Sequence, residues 1–92
     1  MKPLLSREQV RHELALCGAL SKLIDSGATV CRTMEPAYID IIGIDQNGSL
    51  FFVEAKGGRM VSYSRNEKRF HAICHRLGVK VLLYYKGKFA TV

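Results

Sequence analysis

The sequence predicts an α/β domain in which helices pack on a mixed sheet. Three observations carry that expectation. Apolar residues recur at helical spacing in two segments and at strand spacing in the segments between and after them. The segments follow one another as α-β-β-β-α-β, with a short terminal strand to add. Glycine stands at most of the boundaries, where helices and hairpins need a turn. With 92 residues, the chain reads as a single domain over 1–92, too short for a second core. A hydrophobic fraction of 48% against 24% charged residues marks a folding chain rather than a disordered one.

Ser6 and Gln9 have the spacing of a capping box, so a helix is expected from Arg7. It runs through REQVRHELALCGALSKLIDS and stops at Gly27, a residue type suited to the position after a helix. ATVCRT (28–33) reads as a short strand. MEPA (34–37) is a connection, because Pro36 lacks the N–H that a helix needs. YIDIIGI (38–44) and SLFFVEAK (49–56) form a hairpin across DQNG, where Asn47-Gly48 suits a tight turn. GGRMVSYS (57–64) is a loop, and Ser64 caps a second helix, RNEKRFHAICHRL (65–77), which Gly78 ends. VKVLLYY (79–85) is a β-prone run, expected to join the sheet in parallel through a right-handed crossover. After Lys86-Gly87, KFATV (88–92) adds a last strand.

Several charges fall inside these apolar elements. On a helical wheel, Val10, Leu14, Leu16, Cys17, Leu20, Leu23 and Ile24 form one arc, with Glu13 near its middle. Glu8 has an ordinary place in the first turn, where acids favour the helix dipole. Glu13 is open to two readings, an ion pair at the edge of the stripe or a functional carboxylate. On the strands, Asp40 shares a face with Ile42 and Ile44, and Glu54 and Lys56 share one with Leu50 and Phe52. A structural Glu54–Lys56 salt bridge is one explanation. Convergence of Asp40, Glu54, Lys56 and Glu13 on one pocket is the other. Clustered carboxylates repel unless a hard cation neutralises them, and Mg²⁺ accepts one or two carboxylates plus waters. A nearby lysine can orient or deprotonate an attacking water, or stabilise charge developing on phosphorus.

Fourteen Lys and Arg against eight Asp and Glu give a net charge of +6. That surplus favours a polyanionic partner, most often nucleic acid, although a basic surface also serves solubility alone. No helix combines a basic face with exposed aromatics, which disfavours a membrane surface. Cys17, Cys31 and Cys74 are odd in number and lack a CxxC pair, so neither zinc nor a disulfide framework follows. They are expected to pack as small hydrophobes in a reducing, cytoplasmic setting. No apolar run suits a signal peptide or a membrane span.

The constellation Asp40…Glu54-Ala55-Lys56 resembles the signature of the PD-(D/E)XK nuclease superfamily, with Asp on one strand and E-x-K on the next. That superfamily has the same α-β-β-β-α-β core. Within it the chain is similar to the VRR-NUC domains and the archaeal-type Holliday junction resolvases. EAKGGRMVSYS resembles the VRR-NUC E-x-K with its glycine-arginine loop, and RFHAICHRLG the helix that follows. The resemblance implies a restriction-endonuclease-like fold. It implies metal ligation by Asp40 and Glu54, with the carbonyl of Ala55 as a further ligand. Lys56 would be the catalytic lysine, and Glu13 the acid carried on the first helix, joining the catalytic and metal-binding set. It also implies an endonuclease dependent on Mg²⁺, or on Mn²⁺ in its place. Such an enzyme hydrolyses DNA phosphodiester bonds, at branched DNA such as Holliday junctions, in recombination or repair. Two departures stand out. Ile39 precedes Asp40 where the pattern has Pro, and Glu67 stands where VRR-NUC domains usually carry Gln, which leaves its role open.

Arg59, Ser62, Tyr63, Ser64, Arg65, Lys68 and Arg69 follow the E-x-K strand and are read as a DNA-contacting rim, or else as a solvated face. With no base-reading motif, recognition by shape is expected. Gly57 and Gly58 allow a close backbone approach to a ligand, or loop movement. His12, His71 and His75 do not form a metal-ligand set, and Tyr84 and Tyr85 are expected to pack against neighbours or a partner subunit rather than stack on bases. A thin core and the two cuts needed for symmetric cleavage both favour a homodimer. Three alternatives remain at this level: a nicking or restriction-like nuclease targeted by a partner, a DNA-binding module without catalysis, and a small structural protein with a buried Glu–Lys pair.

Overall fold

Two reciprocal caps fix where the helices begin in the computed structural model, which describes residues 4–34 and 38–92. At α1 (Arg7–Asp25), Ser6 Oγ accepts the Gln9 N–H while the Gln9 side chain accepts the Ser6 N–H. At α2 (Arg65–Leu77), Ser64 and Glu67 repeat the arrangement. Each box satisfies N–H groups that a helix start leaves without partners. Gly27 and Gly78 follow the two helices with φ of 87° and 72°, the left-handed region that strains other residues.

Five strands form one sheet in the order β1 (Thr29–Arg32), β2 (Ile41–Ile44), β3 (Leu50–Lys56), β4 (Lys80–Tyr85) and β5 (Lys88–Thr91). β3 and β4 are parallel and joined through α2, while every other neighbouring pair is antiparallel. The mixed sheet, the element order and the terminal strand are those expected. The hairpin differs in detail, because β2 begins at Ile41 rather than Tyr38. Asp40 sits just ahead of β2, where its side chain takes over as a ladder acceptor. The turn is held by Asp45, whose carboxylate accepts the N–H groups of Asn47 and Ser49 at 2.9 Å each. Gly48 takes a φ of 82° in the same turn. The predicted connection at 34–37, with Pro36, lies outside the described residues apart from Met34.

One sheet face carries Ile41, Phe51, Val53, Ala55 and Tyr84 beneath Leu16, Ala19 and Leu23 of α1, and this is the core. Gly43 lies opposite Phe51, and a Cβ there would come within 2.3 Å of the Phe51 ring, so glycine makes room for the aromatic. The other face receives α2, with Cys74 and His71 buried and Phe70 stacked on Phe52 at 5.9 Å. The predicted apolar arc of α1 is corrected. Leu16 and Leu23 are buried, but Val10, Leu14, Cys17 and Ile24 are exposed. The helix turns its small side, with Ala19 buried and Ala15 partly so, onto the sheet because alanines permit close packing. The cysteines are corrected likewise, since only Cys74 is buried. Among the described residues, no helix is long and apolar enough to cross a membrane.

Candidate active site

β3 delivers Glu54, Ala55 and Lys56 at the end of a buried strand, and alternation sends Glu54 and Lys56 toward α2. Glu54 is 1% exposed, with Oε1 2.9 Å from His71 Nε2 and Oε2 without a hydrogen-bond partner. Burial pushes the Glu54 carboxyl above its ordinary pKa, against the bond from His71. Lys56 Nζ donates to Glu67 Oε2 at 2.9 Å and lies 5.6 Å from the Tyr63 ring centroid. The Glu54–Lys56 bridge expected as the structural alternative is therefore absent. Both residues instead bond across to α2.

Spacing explains this double rung. Two residues along a strand advance about 6.6 Å, and four along a helix about 6 Å. Glu54 and Lys56 thus meet His71 and Glu67 in register. Burial raises the pKa of Glu67, but the Ser64 backbone N–H and the Lys56 ammonium outweigh it and hold the carboxyl below its ordinary value. Position 67, left open by the sequence, is the clamp on Lys56.

Asp40 lies one step beyond the Ile41–Val53 pair. Its Oδ2 accepts the Ala55 N–H at 2.8 Å, and its Oδ1 lies 3.3 Å from His12 Nε2. Glu13 accepts from Arg32 Nη2 at 2.5 Å, and that guanidinium holds its carboxyl below the usual range. Gly57 lets α1 approach this end of β3, because a Cβ there would lie 2.5 Å from the Arg11 carbonyl oxygen. The close backbone approach expected at the paired glycines is thus to a helix.

These residues line one open cleft of about 500 Å³, between α1 (Glu8, Gln9, His12, Glu13), Tyr38, Asp40, the segment Glu54–Gly57 and Glu67. The structure brings Glu13, Asp40, Glu54, Ala55, Lys56 and Glu67 to the same cleft. It does not gather them into a ready cage: among the described residues, no three His, Cys, Asp or Glu side chains are grouped to hold a cation. Of the predicted rim, Arg59, Ser62, Arg65, Lys68 and Arg69 are exposed. Ser64 is engaged in its cap. Tyr63 is partly buried with its ring edge-on to His71 at 4.9 Å, and burial raises its phenol.

Against solved structures, the chain matches one described as a VRR_NUC domain, with a TM-score of 0.69 and 20% identity over 79% of this chain and 82% of the other. This is the VRR_NUC fold. No family model and no curated protein matches the sequence. The VRR_NUC likeness is one of architecture. It agrees with the restriction-endonuclease-like core implied by Asp40, Glu54 and Lys56.

Sequence reasoning missed His12, Arg32 and His71 within this VRR_NUC fold. His71 left one signal: with Glu67 and Cys74 it repeats at helical spacing along the inward face of α2. For Arg32 and His12 no local pattern names the partner, because Glu13 and Asp40 lie elsewhere in the chain.

Proposed function

We propose that this chain is a nuclease domain that hydrolyses DNA phosphodiester bonds with a divalent cation, acting on branched or otherwise structured DNA. The observation that carries the reading is Glu54 Oε2, a buried carboxylate oxygen with no hydrogen-bond partner that borders an acid-lined cleft. Buried polar atoms are normally satisfied, and an anionic oxygen left open most needs a cation. The carboxylates that line the cleft offer hard oxygen donors, which suits Mg²⁺ or Mn²⁺. Glu54 and Asp40 would hold the ion, with the Ala55 carbonyl and waters completing the shell and Glu13 reaching it once released from Arg32. When bound, such an ion supplies the charge that draws in a phosphate and acidifies a water.

The chain's own residues do the rest. Asp40 is oriented by the Ala55 N–H at Oδ2, which leaves Oδ1, beside His12 Nε2, to meet an ion. The Lys56 ammonium, held by Glu67, can donate to a phosphate oxygen as negative charge grows there. Exposed Arg59, Arg65, Lys68 and Arg69 would bind the flanking phosphates, and the absence of a base-reading element favours recognition by shape. Cutting two strands of a junction symmetrically calls for two such subunits.

Incubation of a four-way junction and a matched linear duplex with the protein and Mg²⁺ tests this. Preferential cleavage of the junction, lost in Asp40→Asn and Lys56→Met, is expected. No cleavage of either DNA, together with no saturable Mn²⁺ binding by calorimetry, would overturn the reading. The Lys56–Glu67 pair favours one competitor, a DNA-binding module without catalysis. That competitor predicts junction binding with neither cleavage nor metal uptake.

A further inference from the structure

The outward face of α1 is apolar as well as the inward one. Val10, Leu14 and Ile24 are 41%, 68% and 59% exposed. Cys17 and Ser21 lie exposed between them. Along the chain these five are separated by steps of four, three, four and three residues. At about 100° per residue they fall within about 80° of one another, turned away from Leu16, Ala19 and Leu23. A helix lying on a sheet ordinarily presents charges there. Steps alternating between three and four residues form the seam by which two helices interdigitate. None of the five lines the cleft.

We infer that this stripe is the surface on which a second copy of the chain docks, with the two α1 helices antiparallel and Cys17 near the two-fold axis. The inference rests on the two-subunit part of the reading above and not on its chemistry.

Charge selects both occupant and orientation. Arg7, Arg11 and Asp25 are exposed on one flank of the stripe. Among the described residues none of the three is in an ion pair. In a parallel pair the two-fold axis runs along the helices and carries this flank to the far side of the partner, so these charges would not face one another. Antiparallel helices, related by an axis at Cys17, bring the partner's Asp25 level with Gln9, between Arg7 and Arg11. The symmetry makes the same contact again at the other end. Of the five, Ser21 alone carries a donor for a phosphate, so an apolar partner suits the stripe better than DNA does.

Light scattering reads the outcome. The wild-type chain is expected at twice its 10.3 kDa mass, and Leu14→Glu/Ile24→Glu at the monomer mass with an unchanged circular dichroism spectrum. In a Cys31→Ser background, mild oxidation is expected to crosslink the dimer, and a further Cys17→Ser to abolish the crosslink. Asp25→Arg is expected to weaken the dimer at low salt. A wild-type monomer would overturn both the surface and the two-subunit reading. A dimer that survives Leu14→Glu/Ile24→Glu, or fails to crosslink through Cys17, would overturn the surface alone. Mn²⁺ calorimetry on the double variant is read separately, since its failure strikes the nuclease reading and leaves the interface standing.

Discussion

Glu54 faces α2 and Glu67 stands on it, yet their surroundings drive the two acids in opposite directions. Glu67 is held ionised by Ser64 and Lys56, so its folded pKa lies below the ordinary 4.5. Its contribution is therefore present above pH 4.5 and is lost as pH falls through the folded value. Thermal melts should show wild type above Glu67→Gln at neutral pH, with the gap closing in acid. Glu54 has the opposite sign, because burial disfavours its charge. Its ionisation costs stability as pH rises through its raised value, so Glu54→Gln in metal-free protein should gain stability at neutral pH and lose the gain in acid. His71→Ala leaves that carboxylate buried without its partner and should cost about 3 kcal/mol in urea denaturation. Glu54 was legible in the sequence, because charge within an apolar strand stands out locally, whereas Glu67 showed only as a departure from the VRR-NUC pattern. Their partners were not legible, because His71 lies seventeen positions from Glu54 in the chain and no local pattern names a partner across that gap.

At the scale of elements, the two capping boxes offer a controlled comparison. Ser6→Ala and Ser64→Ala should each cost about 1 kcal/mol, since each removes one cap. Only Ser64→Ala also loosens Glu67 and through it Lys56, so on the proposed function it alone should lower the cleavage rate. Equal losses of rate from both would count against a positioning role for the second box. Gly57→Ala tests the other support of the cleft. A methyl there meets the Arg11 backbone, and prying α1 from β3 should cost about 1–3 kcal/mol. Helix ends and strand order could be read directly because caps, Gly-ended helices and β-prone runs are local signals. The face that α1 turns to the sheet could not. Large side chains dominated the wheel, while Ala15 and Ala19 made the closer contact.

For the whole molecule, charge is the long-range feature. The net charge of +6 includes Arg59, Arg65, Lys68 and Arg69, exposed on the loop and helix that follow the strand carrying Glu54 and Lys56. On the proposed function, binding to DNA should weaken steeply with salt, and Arg65→Ala should reduce the slope of log K against log salt by about 1 in fluorescence anisotropy. An unchanged slope would remove Arg65 from the phosphate-contacting set.

The bond from the Ala55 N–H to Asp40 Oδ2 bears on how such a chain would drift over generations. Asp40 closes the end of the β2–β3 ladder whether or not any chemistry takes place, so selection for folding alone would hold an acid or amide there. Glu54 has a weaker second reason to persist: one oxygen meets His71, but the other, buried and free, burdens the fold. A lineage released from its reaction is expected to lose the glutamate first and keep the aspartate as a relic. Within such a lineage, the glutamate is the better marker of a living site.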